Sequence, residues 1–82
     1  TIVVMMGDNG FLFGEHGMID KRSAYEESMR VPLIAFGGGM AKGRVVNEIV
    51  ANIDIAPTFL ALAGAEVPQG VRFDGMSYAD LL

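Results

Sequence analysis

The chain alternates between dense apolar runs and short polar breaks. It opens on Thr1-Ile2-Val3-Val4-Met5-Met6, apolar after its first residue and β-branched at its start. An apolar run without polar alternation marks a strand covered on both faces, as in a parallel sheet flanked by helices. Gly7-Asp8-Asn9-Gly10 ends the run. Residues 11–20 show no clean period, and Gly14 and Gly17 make them a loop. Ser23-Ala24-Tyr25-Glu26 has the form of a capping box and predicts a short helix over 24–29, with Ser23 as N-cap and Glu26 and Arg30 one turn apart. Pro32 stops that helix and keeps Val31 out of the α region. Residues 32–36 then read as a second buried strand. Gly37-Gly38-Gly39 and residues 40–43 form a turn, and 44–50 is expected to be extended. Asp54 has the position of an N-cap, with Pro57 in the first helical turn, where its missing N–H costs nothing. Residues 55–63 are apolar almost all round, which predicts a buried helix stopped by Gly64. After a polar loop over 69–77, residues 78–82 begin another helix. The order strand, loop, helix, strand, extended segment, helix is α/β material.

Composition narrows the class. With 82 residues, 51% of them hydrophobic, the chain allows one small domain at most and is too apolar for a disordered tail. It contains no Cys, so it holds no disulfide, thiolate metal site or Cys nucleophile, and a single His excludes a zinc finger. Six basic against ten acidic residues give a net charge of −4, which argues against a nucleic-acid binder or a polybasic membrane anchor. The longest uncharged runs, 31–41 and 55–65, fall well short of the ~18 apolar residues of a membrane span. A signal peptide is not expected from these residues, which open on the first strand without a basic segment. So much apolar surface in so short a chain is expected of a piece of a larger domain, which would self-associate when isolated.

Several residues have the chemistry of a site. Asp8 and Asn9 follow a buried strand, where open α/β folds place their ligands. A carboxylate beside an amide carbonyl offers two hard oxygen donors of the kind Ca²⁺ prefers, although Ca²⁺ takes six to eight. The competing reading is a hairpin: Asn9-Gly10 is a strong turn signal, with Phe11-Leu12-Phe13 as the returning strand, and spacing alone favours it. Lys21 and Arg22, ahead of a helix, are adjacent cations suited to an oxyanion, or else surface charges paired with Asp20 or Glu26. His16 is the only imidazole and sits on a Gly-flanked loop, as a proton donor near neutral pH or as a plain surface residue. Glu26 and Glu27 do not make an acid/base pair, because neighbours on a helix do not face each other. The six Met residues read as core filler.

The order of these motifs says more than any one of them. Gly7-Asp8-Asn9-Gly10, Gly14-Glu15-His16-Gly17, Asp20-Lys21-Arg22, Tyr25-Glu26-Glu27-Ser28 and Arg30-Val31-Pro32-Leu33 together resemble the sulfatase family of the alkaline-phosphatase-like superfamily. Ile53-Asp54-Ile55-Ala56-Pro57-Thr58, Leu62-Ala63-Gly64 and the ending Asp74-Gly75-Met76-Ser77 with Asp80-Leu81-Leu82 are similar to the same family, so the resemblance covers essentially the whole chain. It displaces the hairpin reading of Asp8-Asn9.

The resemblance implies a sulfuric ester hydrolase with an alkaline-phosphatase-like α/β sandwich, a mostly parallel central sheet and flanking helices. It implies Ca²⁺ as metal, with Asp8 and Asn9 as ligands beside an acidic pair near the family's N-terminus. Lys21 matches the sulfate-binding lysine; His16 and Arg22 lie beside it as contacts to sulfate or sugar, His16 also as a catalytic residue. The nucleophile would be a formylglycine made from a C/S-x-P-S-R motif. That motif, the acidic pair and a second His do not occur here, so residues 1–82 are expected to be a later portion of the catalytic domain, inactive alone. Asp20-Lys21-Arg22 with Tyr25-Glu26 is similar to glycan sulfatases, including those acting on 6-sulfated hexosamines. The expected partner is therefore a sulfated small molecule or glycan. Two other readings remain open at this point: a phosphodiesterase or phosphonate hydrolase of the same superfamily, and a truncated non-enzymatic module.

Overall fold

A computed structural model describes all of residues 1–82, which divide into two compact units, Thr1–Met40 and Ala41–Leu82. In the first unit, β1 (Ile2–Met6) pairs with β4 (Leu33–Gly37), while β2 (Leu12–Phe13) pairs with β3 (Ile19–Asp20). One short helix, α1 (Glu26–Met29), precedes β4.

Both pairings are antiparallel, so the strands here do not form the mostly parallel sheet expected from the apolar run. The register sets Val3 opposite Phe36, Val4 opposite Ala35, Met5 opposite Ile34 and Met6 opposite Leu33. Residues directly opposite share a face, so exposure follows the pleat with period two although the sequence does not. Val3, Met5, Ile34 and Phe36 share the exposed face; Ile2, Val4, Met6, Leu33 and Ala35 are partly covered. No residue of β1 or β4 is fully buried.

The hairpin reading of Asn9-Gly10 also gives way. β1 does not return onto Phe11-Leu12-Phe13; Gly7 N donates to Pro32 O at 3.3 Å and Gly10 N to Ser28 O at 2.8 Å instead. Residues 11–20, expected to be a loop, contain the small β2–β3 hairpin, whose Leu12 is completely buried. Two-residue strands are too short to leave a periodic signal. Helix α1 starts later than expected, with Tyr25 rather than Ser23 at its N-cap position and no side-chain cap. The expected capping box does not form; the Ser28 hydroxyl instead donates to the Ser23 and Tyr25 carbonyls. Glu26 and Arg30 do form their one-turn ion pair, at 3.5 Å.

In the second unit, a 3₁₀ turn over Asn52–Asp54 leads into α2 (Ile55–Leu62), and a second 3₁₀ turn, Ala79–Leu81, stands where another helix was expected. Residues 44–50 form no strand. Asp54 stands at the N-cap position of α2 but does not cap with its side chain. Its carboxylate reaches back to Ala51 N and across to Met76 N, both at 2.8 Å. The C-terminus of α2 closes as a Schellman motif: Gly64, at φ 64°, donates to Ala61 O, and Ala65 N donates to Leu60 O. A left-handed residue is required there, which explains the glycine. The all-round apolar helix is not buried all round. Thr58 is its one buried residue, and Phe59 keeps 45% of its surface exposed.

Thr58 and Tyr78 form the centre of this unit. Thr58 Oγ1 donates to Asp54 O at 2.6 Å and accepts from Tyr78 N at 3.0 Å. Thr58→Val removes this acceptor at constant shape and orphans a buried N–H, so the protein should lose about 1–3 kcal/mol, read as a lower urea midpoint. The Tyr78 hydroxyl is buried without a hydrogen-bond partner. Burial, and secondarily the Asp54 carboxylate, push its pKa up. The fold therefore favours neutral Tyr78, a contribution fully present below the ordinary tyrosine value of about 10 and lost as pH rises through the raised one. Tyr78→Phe should keep or raise stability at pH 7, by up to about 1 kcal/mol, because no hydrogen bond is lost. It should also flatten the alkaline fall in stability, as measured by urea unfolding across that range.

Candidate functional site

The expected site residues all fall in the first unit, on two loops. The first loop follows β1. Its ends are held by backbone hydrogen bonds from Gly7 and Gly10, which leaves Asp8 exposed and Asn9 half-buried between them. Gly10 must be a glycine, since a Cβ there would run into the carbonyl oxygen of Glu27. Asp8 Oδ1 accepts from Asn9 N at 2.9 Å. The Asn9 side-chain amide donates to Gly10 O at 2.7 Å, which orients its Oδ1 the other way.

The second loop is the tip and exit of the β2–β3 hairpin. Glu15–Gly17 forms a 3₁₀ turn in which His16 takes a left-handed backbone, φ 56° and ψ 18°. Glu15 stabilises the turn from outside. Its carboxyl is held below the usual range, first by its own backbone N–H and then by that of Phe13, which donates to it at 2.6 Å. Asp20, the last residue of β3, also has a positive φ, 146°. Non-glycine residues at positive φ store strain that only surrounding structure sustains, and such residues collect at functional sites. Around Asp20 that structure is visible: its carboxylate accepts from Lys21 N at 2.7 Å and from the Arg22 guanidinium. These two partners, in that order, hold its carboxyl below the usual range.

The two loops meet at one point. Lys21 Nζ donates to Asn9 Oδ1 at 3.4 Å. This joins the oxygen donor expected to hold a metal with the cation expected to hold an oxyanion. A carbonyl oxygen has two lone pairs, so serving the ammonium does not exclude a metal ion. Asp8 and Asn9 fit Ca²⁺ in kind, as a charged and a neutral hard oxygen on consecutive residues. They supply part of a shell, because no group of three or more His, Cys, Asp or Glu side chains within this chain is placed to hold a metal.

His16 and Arg22 stand on the same loop with partners of their own. Arg22 pairs with Asp20, one of the two partners open to it in the sequence. His16 does not stand alone: its Nε2 lies 3.2 Å from Glu27 Oε2, and its ring stacks on Tyr25 with centroids 4.0 Å apart and 13° between planes. Glu26 and Glu27 point to different partners, Arg30 and His16, as neighbours on a helix must. Sequence reasoning missed Glu27 and Tyr25 as partners of His16. Asp20 was visible as a neighbour of two cations, whereas nothing local links His16 to a glutamate eleven residues away.

This chain is similar to proteins of known family. The family described as "N-sulphoglucosamine sulphohydrolase, C-terminal" matches residues 14–82. The N-acetylglucosamine-6-O-sulfatase of Bacteroides thetaiotaomicron is 47% identical over 73 residues, which is 88% of this chain and 13% of that protein. The human N-acetylglucosamine-6-sulfatase is 37% identical over 83 residues, covering 100% of this chain and 15% of that protein. A solved structure of BT4656 in complex with its substrate D-glucosamine-2-N,6-O-disulfate superposes with a TM-score of 0.85 at 44% identity, covering 100% of this chain and 16% of that one. The chain thus spans a small fraction, about one seventh, of the relatives just named. With the family matched over 14–82 and sulfatases among the relatives, this chain belongs to the sulfatase family, in the segment described as N-sulphoglucosamine sulphohydrolase, C-terminal.

Proposed function

We propose that this chain carries part of the metal and sulfate site of a sulfuric ester hydrolase acting on a glycan. The observation that carries the reading is the meeting of Lys21 Nζ with Asn9 Oδ1 at 3.4 Å, which gathers a metal-type oxygen and an anion-binding ammonium from two separate loops. The relatives named for 6-sulfated glucosamine, and the disulfated glucosamine in the solved relative, support a sulfated hexosamine unit as substrate.

Cleaving a sulfate ester spreads negative charge over the transferring group and the leaving oxygen. Fixed positive charge aimed at those oxygens lowers the barrier, and most so where water is excluded. In this reading Asp8 and Asn9 are ligands of a Ca²⁺ ion, which when bound would neutralise charge on the sulfate oxygens. Lys21 acts as a point charge on the same group and transfers no proton. Arg22 is braced by Asp20 through Nε and one terminal nitrogen, which leaves its other N–H groups for a substrate oxygen. His16 lies on the same loop as a contact to sulfate or sugar. A net charge of −4 does not draw an anionic substrate from a distance, so binding rests on these local cations. The nucleophile belongs to a preceding part of the catalytic domain, as a formylglycine. The bare outer face of β1 and β4 supports a further layer covering this pair in the complete domain.

In the complete protein, Asp8→Ala and Lys21→Ala should each reduce turnover of a 6-sulfated glucosamine by about a hundredfold or more, the scale for losing one preorganised charge. A calcium titration should separate them: Asp8→Ala weakens binding, whereas Lys21→Ala does not. Unchanged turnover in both variants, or faster hydrolysis of a matched phosphate ester, would overturn the assignment.

A further inference from the structure

Both loops of the site end on the same four-residue helix. The Asp8-Asn9 loop is tied to it by backbone, through Gly10 N on Ser28 O at 2.8 Å and the close approach of Gly10 to the Glu27 carbonyl. The Lys21 loop is tied to it by side chains, through His16 Nε2 on Glu27 Oε2 at 3.2 Å and the stacking of His16 on Tyr25, the residue before the helix. Glu27 takes part in both: its carbonyl bounds Gly10 while its carboxylate holds His16.

We propose that Glu27 is a positioning residue of the site, which acts through His16 to hold the Lys21 loop at its distance from Asn9. The proposal rests on the roles assigned above to Asn9 and Lys21. An ionised carboxylate only accepts hydrogen bonds, so Glu27 fixes the His16 proton on Nε2 and leaves Nδ1 as the ring nitrogen open to other partners. The stack on Tyr25 sets the plane of the ring. Together they brace a residue whose left-handed backbone needs support, five positions before Lys21. His16 and Glu27 are both partly exposed, so the contact is a clasp and not a core element.

The test uses the complete protein and four variants: Glu27→Ala, Glu27→Gln, His16→Ala and the double Glu27→Ala/His16→Ala. Glu27→Ala should lower kcat on a 6-sulfated glucosamine by about tenfold to a hundredfold, the cost of misplacing a catalytic group by about 1 Å. It should leave calcium affinity intact, because the Gly10 tie is made by backbone. Glu27→Gln should restore most of the rate, since its amide oxygen still accepts from Nε2–H. The double variant should be no slower than the slower single one, as expected of residues acting through each other. An unimpaired Glu27→Ala overturns the proposal. So does equal damage in Glu27→Ala and Glu27→Gln with calcium affinity lost, which marks a general structural role. If the unsubstituted protein hydrolyses no sulfate ester, the functional reading fails and nitrogen NMR of the His16 ring decides this one. A single Nε2–H tautomer that becomes mixed in Glu27→Ala supports the clasp; mixed tautomers in the unsubstituted protein overturn it.

Discussion

The site depends on one constraint, the anchoring of two loops to a single turn of helix. Gly10 approaches the carbonyl end of α1 so closely that no side chain fits, and Ser28 O takes its N–H. Ser28 is itself buried, with its hydroxyl on the Ser23 and Tyr25 carbonyls, so the anchor point is rigid from within. On the other side, Glu27 and Tyr25 hold His16. Lys21 meets Asn9 across twelve positions of chain, between two loops that are both held to this helix. Isolated four-residue helices do not persist in water, so α1 owes its existence to these contacts as much as they owe theirs to it.

The loop bearing the cations is held by anions. Glu15 and Asp20 each take backbone N–H groups onto their carboxylates, and both are kept ionised more firmly than an ordinary carboxylate. Asp20 also takes the Arg22 guanidinium, which fixes one cation beside another whose ammonium turns to Asn9. In the function proposed above, this arrangement reconciles an acidic chain with an anionic substrate. Carboxylates are used to shape the loop, and the two positive side chains are left at its surface. The positive φ values at His16 and Asp20 lie where this shaping is tightest, and each has its own set of partners to sustain it.

The second unit shows the same economy at another scale. Asp54 was read as a helix cap, and its position at the start of α2 is right, yet its carboxylate serves Ala51 and Met76 instead of the first turn. A side chain with two acceptor oxygens satisfies whichever N–H groups the fold brings near, and the chain from residue 69 onward brings Met76. Thr58 behaves similarly. In a run otherwise apolar, it is the residue that ends up fully buried, because its hydroxyl answers both Asp54 O and Tyr78 N.

By itself, the order of residues determined what short-range physics controls. The apolar runs became β1, β4 and α2, Gly64 closed a helix, and Glu26 met Arg30 one turn on. The motif series from Gly7-Asp8-Asn9-Gly10 to Arg30-Val31-Pro32-Leu33 was enough to reach the family and to name Asp8, Asn9, His16, Lys21 and Arg22 as its candidate residues. Tertiary structure alone decided that β1 pairs antiparallel with β4, that residues 11–20 hold a hairpin, and that Glu27 serves His16. Strand direction and loop-to-helix contacts are settled by which distant segments satisfy each other's polar groups. That choice leaves no periodic trace in the residues that make it.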